Sequence, residues 1–303
     1  WSLRDLTDAY TMEHQIGEGV YGKVHRARDV VTNEEVALKK VKTDLTMEKE
    51  GFPITALREI QILKELAHNN IVALGDADKS VYLAFEYLEH DLGGLIESQG
   101  IELTEDHVGC YVKQLVSGAA YIHSLNVLHR DIKASNLLIS SDGHLKIGDW
   151  GLARLQADND GKQYYTNRVI TLWYRPPELL LGSTKSADGY GTSADVWSIG
   201  CILAELLYAK PILPGNTEIE QLALIFELCG TPTVEDWPNV LGAEKLFMTV
   251  SHSLCQTLQM RRRKLRDKFD SFERTALDLV DEILVYDPQK RISAHSALDR
   301  AYL

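Results

Sequence analysis

The sequence predicts an α+β fold of two lobes, a small strand-rich lobe followed by a larger helical one. Residues 10–41 hold short alternating apolar runs separated by glycines, which is typical of successive antiparallel strands. Much of the remaining chain carries apolar residues at the spacing of helices. This change of pattern places a lobe boundary after Leu88 and predicts lobes of residues 1–88 and 89–303.

In the small lobe, the strands are followed by one helix and one further strand. Apolar residues recur at three-residue steps from Ile54 to Leu66, and Pro53 precedes them where a first helical turn tolerates proline. Residues 81–87 form another strand-like run. The polar segment 90–94, which contains two glycines, is predicted to connect the lobes.

In the large lobe, helices are predicted at residues 104–124, 194–208 and 276–285. Thr104 is suited to cap the first of them, because acidic residues follow in the first turn. Residues 137–139 and 145–147 flank a Ser-Asp-Gly turn and predict a hairpin. Residues 261–266 hold a dense positive cluster, which we interpret as a solvated face, with an anion or partner patch as the alternative.

Composition and charge indicate a globular protein and exclude several classes of function. The chain has 303 residues, of which 45% are hydrophobic and 25% charged, so it is long enough to bury a core. Its net charge of −12 argues against general binding to nucleic acid or anionic lipid. Four cysteines without a C-x-x-C pair favour a reducing compartment, and no apolar stretch is long enough to span a membrane. Because the chain opens at Trp1, we expect an excised domain.

The first chemical motif is glycine-rich. Gly17, Gly19 and Gly22 form G-x-G-x-x-G within a strand pattern, which favours a hairpin lying over phosphates rather than a dinucleotide-binding turn. A hairpin without a ligand is the alternative. Lys39 ends the run V-A-L-K and is placed to bind α and β phosphates.

The strongest motif is H-R-D-I-K-A-S-N at residues 129–136, followed by D-W-G at residues 149–151. Asn136 and Asp149 would supply two oxygen ligands for Mg²⁺, and Asp131 would accept a proton from a substrate hydroxyl. Phosphoryl transfer needs charge neutralisation and alignment more than covalent help, and this set supplies both.

Together these motifs resemble a eukaryotic protein kinase catalytic domain over essentially the whole chain. The resemblance implies a bilobal fold with a five-stranded antiparallel sheet and helix C in the small lobe. Glu59 matches the helix C glutamate that pairs with the lysine, and Glu178 in P-P-E is expected to pair with Arg291. Trp150 stands where the family usually has phenylalanine, which we interpret as core packing, with an altered balance of active and inactive states as the alternative.

Residues 53–59, P-I-T-A-L-R-E, resemble the cyclin-binding helix of cyclin-dependent kinases of the transcription-elongation branch. This implies a cyclin partner of T type or K type at the helix of residues 53–66, a nuclear location, and no membrane or direct nucleic-acid binding. The implied substrates are Ser-Pro and Thr-Pro sites, chiefly in the C-terminal repeat of RNA polymerase II. A cell-cycle kinase with other proline-directed substrates and a non-catalytic cyclin-binding scaffold are the alternatives, and the complete catalytic set speaks against the scaffold.

The resemblance also implies roles for individual residues. Those with catalytic roles are Asp131, Lys133, Lys39 and Glu59, with Mg²⁺ held by Asn136 and Asp149. ATP would contact the glycine-rich segment Ile16, Gly17, Glu18, Gly19, Val20, Tyr21, Gly22, Lys23 and Val24. Its base and ribose would meet Ala37, the gatekeeper Phe85, the hinge residues Glu86 and Leu88, and then Asp91 and Leu138. An activating kinase would phosphorylate Thr166, whose phosphate would be bound by Arg58, Arg130 and Arg154. A pocket for the proline after the phosphorylated residue would be formed by Val169, Ile170 and Arg175.

Overall fold

The computed structural model describes nine segments of the chain, and every structural statement below concerns them. They are residues 6–19, 22–41, 54–77, 82–98, 100–156, 169–181, 190–233, 235–238 and 261–303. Four residues with a predicted role lie outside these segments, namely Val20, Tyr21, Pro53 and Thr166. In the described segments, no helix has both the length and the apolar character needed to cross a membrane.

The small lobe is a five-stranded antiparallel sheet with one main helix, as the family resemblance implies. The strand order is β1-β2-β3-β5-β4, and the sheet is preceded by a single helical turn. Its elements are α1 (Leu6–Ala9), β1 (Tyr10–Gly19), β2 (Gly22–Asp29), β3 (Glu35–Val41), α2 (Ile54–Glu65), β4 (Leu74–Ala77) and β5 (Tyr82–Glu86).

The large lobe is mostly helical, with two small sheets at the side that faces the small lobe. Its first elements are β6 (His90–Asp91), α3 (Leu92–Glu97), α4 (Glu105–Ser124), β7 (Val127–Leu128), β8 (Leu137–Ile139), β9 (Leu145–Ile147) and β10 (Arg154–Leu155). The later helices are α5 (Pro177–Leu180), α6 (Ser193–Tyr208), α7 (Glu218–Cys229), α8 (Leu265–Lys268), α9 (Arg274–Ile283) and α10 (Ala294–Ala297).

The structure adds detail to two sequence predictions about these elements. Segment 90–94, predicted to connect the lobes, contains regular structure: Asp91 pairs with Leu138 in β6 and β8 and then caps α3 by accepting the Gly94 N–H at 2.9 Å. The last long helix begins and ends two residues earlier than predicted, because Glu273 caps it by accepting the backbone N–H groups that follow. Thr104 does cap α4, as predicted.

The core of the large lobe is built around α6, whose residues 194–206 are all buried. Gly200 lets α9 pack directly against it, since a β-carbon at this position would lie 2.3 Å from Ile283 Cγ2. On α4, a β-carbon at Gly118 would lie 3.1 Å from the Asn70 carbonyl oxygen. The glycine therefore allows the loop after α2 to pack on the large lobe.

That loop is also joined to β9 by backbone hydrogen bonds. Ile147 N–H donates to the Asn70 carbonyl at 2.9 Å, and Val72 N–H donates to the Ile147 carbonyl at 3.1 Å. The Asn70 side chain adds a bond to the Leu145 carbonyl at 2.9 Å. The small lobe is thus anchored to the large lobe at a point remote in sequence from the 86–91 connection.

The arginines of residues 261–266 are paired with carboxylates and do not form an unneutralised positive face. The pairs are Arg261–Glu227 at 3.6 Å, Arg262–Asp267 at 2.8 Å, Arg263–Asp281 at 2.7 Å, and Arg266 with Asp278 at 2.7 Å and Asp281 at 2.8 Å. These pairs fasten the segment to α7 and α9.

Arg291 and Glu178 form the buried ion pair that the resemblance implies. Arg291 Nη1 lies 2.8 Å from Glu178 Oε1, and the two side chains are 0% and 4% exposed. The guanidinium also donates to the carbonyls of Ser193 and Val285. It therefore joins α5, the start of α6 and the segment after α9.

We expect Arg291→Met to lower the free energy of unfolding by about 3–5 kcal/mol, because it leaves the Glu178 carboxylate buried without a counter-charge. Chemical denaturation of the purified chain measures the change. Arg300→Met is the matched control, since it breaks an exposed pair with Glu282 at 2.7 Å. Equal shifts of the two variants would contradict a special role of the buried pair.

Candidate active site

The centre of the site is the ammonium group of Lys39, which bridges two carboxylates. Its Nζ lies 2.8 Å from Glu59 Oε1 on α2 and 2.9 Å from Asp149 Oδ1. Burial opposes the charge on Lys39, but the two carboxylates outweigh it and raise the pKa of the lysine. Burial likewise opposes the Asp149 carboxylate, and Lys39 outweighs it, so the pKa of Asp149 is lowered. Lys39 and Asp149 are therefore both charged at neutral pH.

Local structure brings these three side chains to one point. On β3, Lys39 lies between Val24 of β2 and Leu83 of β5. Glu59 is 4% exposed on α2, close to the buried residues Ile62 and Leu63. The inward side of this amphipathic helix thus carries one carboxylate among apolar residues.

Trp150 anchors the segment that carries Asp149. The indole is 1% exposed, donates from Nε1 to the Ile147 carbonyl at 3.1 Å, and meets the His129 ring edge-on at 4.8 Å between centroids. This is the packing role that the sequence interpretation favours. The N–H donor is a feature that phenylalanine lacks.

The catalytic-loop residues form a second cluster. Lys133 Nζ donates to Asp131 Oδ2 at 2.8 Å, and Asn136 Nδ2 donates to the same carboxylate oxygen at 3.1 Å and to the Asp131 carbonyl at 2.8 Å. Thr171 Oγ1 donates to Asp131 Oδ1 at 2.8 Å, and the Thr171 N–H does so at 3.1 Å. Each carboxylate oxygen of Asp131 is therefore held in place.

The two clusters are tied together through the backbone. Gly148 N–H, next to Asp149, donates to the Asn136 carbonyl at 2.9 Å. From α6, the buried Asp195 accepts the N–H groups of His129 and Arg130, each at 2.9 Å. Burial disfavours the Asp195 carboxylate, but its hydrogen bonds outweigh this and lower its pKa.

Several of the predicted nucleotide-contact residues are paired on neighbouring strands. Ala37 pairs with Phe85 across β3 and β5, and Asp91 pairs with Leu138 across β6 and β8. Glu86, at the end of β5, forms an ion pair with Lys146 at 2.6 Å. Gly19 at the end of β1 pairs with Gly22 at the start of β2, and Gly17 pairs with Val24, as the hairpin prediction requires.

Arg175 brings together the three residues of the predicted proline pocket. Its Nε donates to the carbonyls of Val169 at 3.0 Å and Ile170 at 3.1 Å, and its Nη1 pairs with Glu218 at 2.8 Å. Ile170 has φ = 65°, an unusual backbone conformation for a β-branched residue. The guanidinium thus secures a strained loop beside Thr171.

The three predicted phosphate-binding arginines lie on adjoining elements. Arg58 lies on α2 and Arg154 lies on β10. Arg130 follows β7, the strand that pairs with β10. Arg130 donates to the Leu152 carbonyl at 2.7 Å and to the Tyr190 hydroxyl at 2.8 Å. Thr166 lies outside the described residues, so its position relative to these arginines stays a prediction.

Sequence reasoning missed two residues that the structure adds to the site, Thr171 and Tyr190. Thr171 is forty residues from Asp131 in sequence, and a threonine in a polar loop gives no separate signal. Tyr190 is sixty residues from Arg130 and follows a glycine- and serine-rich stretch that resembles an ordinary loop. Only the fold shows that both contact the catalytic loop.

Comparisons with known proteins agree with this geometry. Residues 10–303 match the family model described as the protein kinase domain. The chain is 48% identical over its full length to Cyclin-dependent kinase C-1 of Oryza sativa subsp. japonica and covers 59% of that protein. It spans about three fifths of the length of such plant relatives. It is 44% identical to Cyclin-dependent kinase 9 of Homo sapiens over 98% of this chain and 81% of that protein.

A solved structure is similar over the whole chain. It is described as the crystal structure of the yeast RNA Pol II CTD kinase CTDK-1 complex, with a TM-score of 0.86, 39% identity, and coverage of 100% of this chain and 95% of that one. The chain therefore belongs to the protein kinase family and, within it, to the cyclin-dependent kinases. The predicted family and fold are confirmed.

We expect Thr171→Val to lower kcat roughly tenfold, because valine keeps the volume but cannot donate to the Asp131 carboxylate. Steady-state phosphate transfer measures the loss. Thr171→Ser restores the hydroxyl and is expected to regain most of the activity. A valine variant as active as the serine variant would show that the side-chain bond is dispensable.

Proposed function

We propose that this chain is the catalytic domain of a cyclin-dependent serine/threonine protein kinase of the transcriptional type. It transfers the γ-phosphate of ATP to Ser-Pro and Thr-Pro sites, chiefly in the C-terminal repeat of RNA polymerase II, and so promotes elongation in the nucleus. The observation that carries the proposal is the joint geometry of the Lys39–Glu59–Asp149 and Asp131–Lys133–Asn136 clusters.

The chemistry follows from what each residue can do. The Asp131 carboxylate, held by Lys133, Asn136 and Thr171, orients a substrate hydroxyl and accepts its proton. The ammonium group of Lys133 stabilises negative charge on the transferring phosphoryl group. Lys39 is poised by its two carboxylates to bind the α and β phosphates.

The residues present fit a divalent cation, which we propose is Mg²⁺. Asn136 uses its Nδ2 for Asp131, and no described residue donates to its Oδ1, so an amide oxygen and the half-exposed Asp149 carboxylate are available as ligands. No group of three or more His, Cys, Asp or Glu side chains suited to a metal occurs in the described segments. A cation bound by these two side chains and by substrate phosphates needs no larger cluster of protein ligands. It would neutralise the charge of the phosphates.

Proline-directed specificity is supported by the loop at residues 169–175. Proline has no N–H to donate, so it suits a position where the enzyme's carbonyl groups already accept hydrogen bonds from another residue. Arg175 engages the carbonyls of both Val169 and Ile170. We therefore assign these three residues to the proline pocket.

The partner is proposed to be a cyclin of T or K type that binds α2. Leu57 on this helix is 44% exposed, so an apolar side chain is available at the surface. The similar solved structure is described as a complex of an RNA Pol II CTD kinase, which supports both the substrate and an assembly with partners. Because Glu59 follows closely on the same helix, a partner that positions α2 also positions the Lys39 ion pair.

The proposal is tested by measuring phosphate transfer from ATP to a polymerase heptad-repeat peptide with a T-type cyclin, a K-type cyclin or neither. We expect transfer with one of them and little without. Transfer only to a generic Ser-Pro substrate with a cell-cycle cyclin would favour the alternative kinase class. Cyclin binding without any transfer would favour a scaffold.

We expect Asp149→Asn to abolish transfer while cyclin binding is retained, because the variant loses both a metal ligand and the counter-charge of Lys39. Radiolabelled phosphate incorporation and cyclin co-purification are the two measurements. Comparable activity of the variant at all Mg²⁺ concentrations would contradict the metal assignment.

We expect Thr166→Ala to lower activity chiefly when a cyclin and an activating kinase are both present. A phosphate carries about −1.5 to −2 charges and would bind the arginines at 58, 130 and 154. The activity of the wild-type complex before and after treatment with the activating kinase is the reference. An identical gain in both proteins would show that this phosphate is dispensable.

A further inference from the structure

One ion pair outside the catalytic clusters connects the two sides of the proposed nucleotide site. Lys146 Nζ lies 2.6 Å from Glu86 Oε2, and the second carboxylate oxygen, Oε1, accepts the Ala73 N–H at 2.7 Å. The two side chains are 22% and 31% exposed. We call Lys146, Glu86 and the Ala73 backbone the hinge strap.

The strap joins elements that would contact the base from different directions. Glu86 ends β5 and begins the predicted hinge, where it pairs with Val36 of β3. Lys146 lies on β9 directly across from Leu138 of β8, the predicted floor of the base site. The strap therefore fixes the distance between the hinge backbone and β8, the strand that carries Leu138.

We infer that Lys146 is a positioning residue for the adenine base of ATP, acting through Glu86; this rests on the proposed function. Hydrogen bonds to a base weaken steeply when donor and acceptor are misaligned, so a small displacement of the hinge backbone reduces affinity. The phosphates and the reacting hydroxyl are bound by other residues. Loss of the strap therefore affects nucleotide binding more than the transfer step.

The surrounding backbone keeps the effect local. Glu86 N–H donates to the Ala73 carbonyl at 3.3 Å, and Ile147 N–H donates to the Asn70 carbonyl at 2.9 Å. These bonds remain when the Lys146 side chain is removed. The lobes thus stay joined while the hinge gains freedom relative to β8 and β9.

The test uses the kinase–cyclin complex with Lys146→Met. We expect the KM for ATP to rise about fivefold, with kcat and the KM for the peptide within about twofold of the wild type. Lys146→Arg keeps the charge and is expected to restore the KM for ATP. Lys290→Met is the matched control. Among the described residues, Lys290 Nζ bonds only to the backbone carbonyls of Glu235 and Asp236, so this variant is expected to change nothing.

Glu86→Gln is the second variant, because glutamine keeps an acceptor for the Ala73 N–H but loses the charge that pairs with Lys146. We expect this variant to raise the KM for ATP as well. An unchanged or lower KM for ATP in both variants, or a fall in kcat alone, would overturn the inference. A wild-type complex that transfers no phosphate would instead refute the proposed function.

Discussion

The bridge from Lys39 to Glu59 and Asp149 is the interaction on which the site depends. It connects β3, α2 and the segment that carries the proposed metal ligand. A charged lysine at 9% exposure is stable only with such partners, because burying an unpaired ammonium group costs several kcal/mol. The orientation of α2 is therefore coupled to the chemistry.

The large lobe supplies the rigidity that this bridge needs. Helix α6 is buried along most of its length and presents Asp195 to the catalytic loop. From the same helix, Glu205 accepts a hydrogen bond from the Tyr174 hydroxyl at 2.8 Å, and burial raises the pKa of both groups. The Arg291–Glu178 pair fixes the next segment of the chain to the start of α6. Several separate polar contacts thus position the catalytic loop and the loop at residues 169–175 against one helix.

Three residues of these loops have an unusual backbone conformation. Arg130, Asp149 and Ile170 all have positive φ angles, of 67°, 52° and 65°. Each is held by a specific contact: the Arg130 N–H by Asp195, the Asp149 carboxylate by Lys39, and the Ile170 carbonyl by Arg175. Such conformations are costly and persist where surrounding structure determines them. Here these conformations orient the two carboxylates of the site and the carbonyls of the proposed proline pocket.

The sequence by itself determined the lobes, the hairpins, the cap of α4 and the catalytic motifs, because these depend on residues a few positions apart whose spacing fixes local geometry. Motif resemblance also identified Glu59 and Arg291 correctly as ion-pair partners. Only the tertiary structure decided which side chains outside the family motifs meet across forty or more residues. Thr171 and Lys146 gave no sequence signal, since their roles arise from the partners that folding brings to them. The sequence predicts a solvated face at residues 261–266 but not its ion pairs, because the carboxylates that pair with these arginines lie chiefly on α7 and α9, whose positions local pattern does not specify.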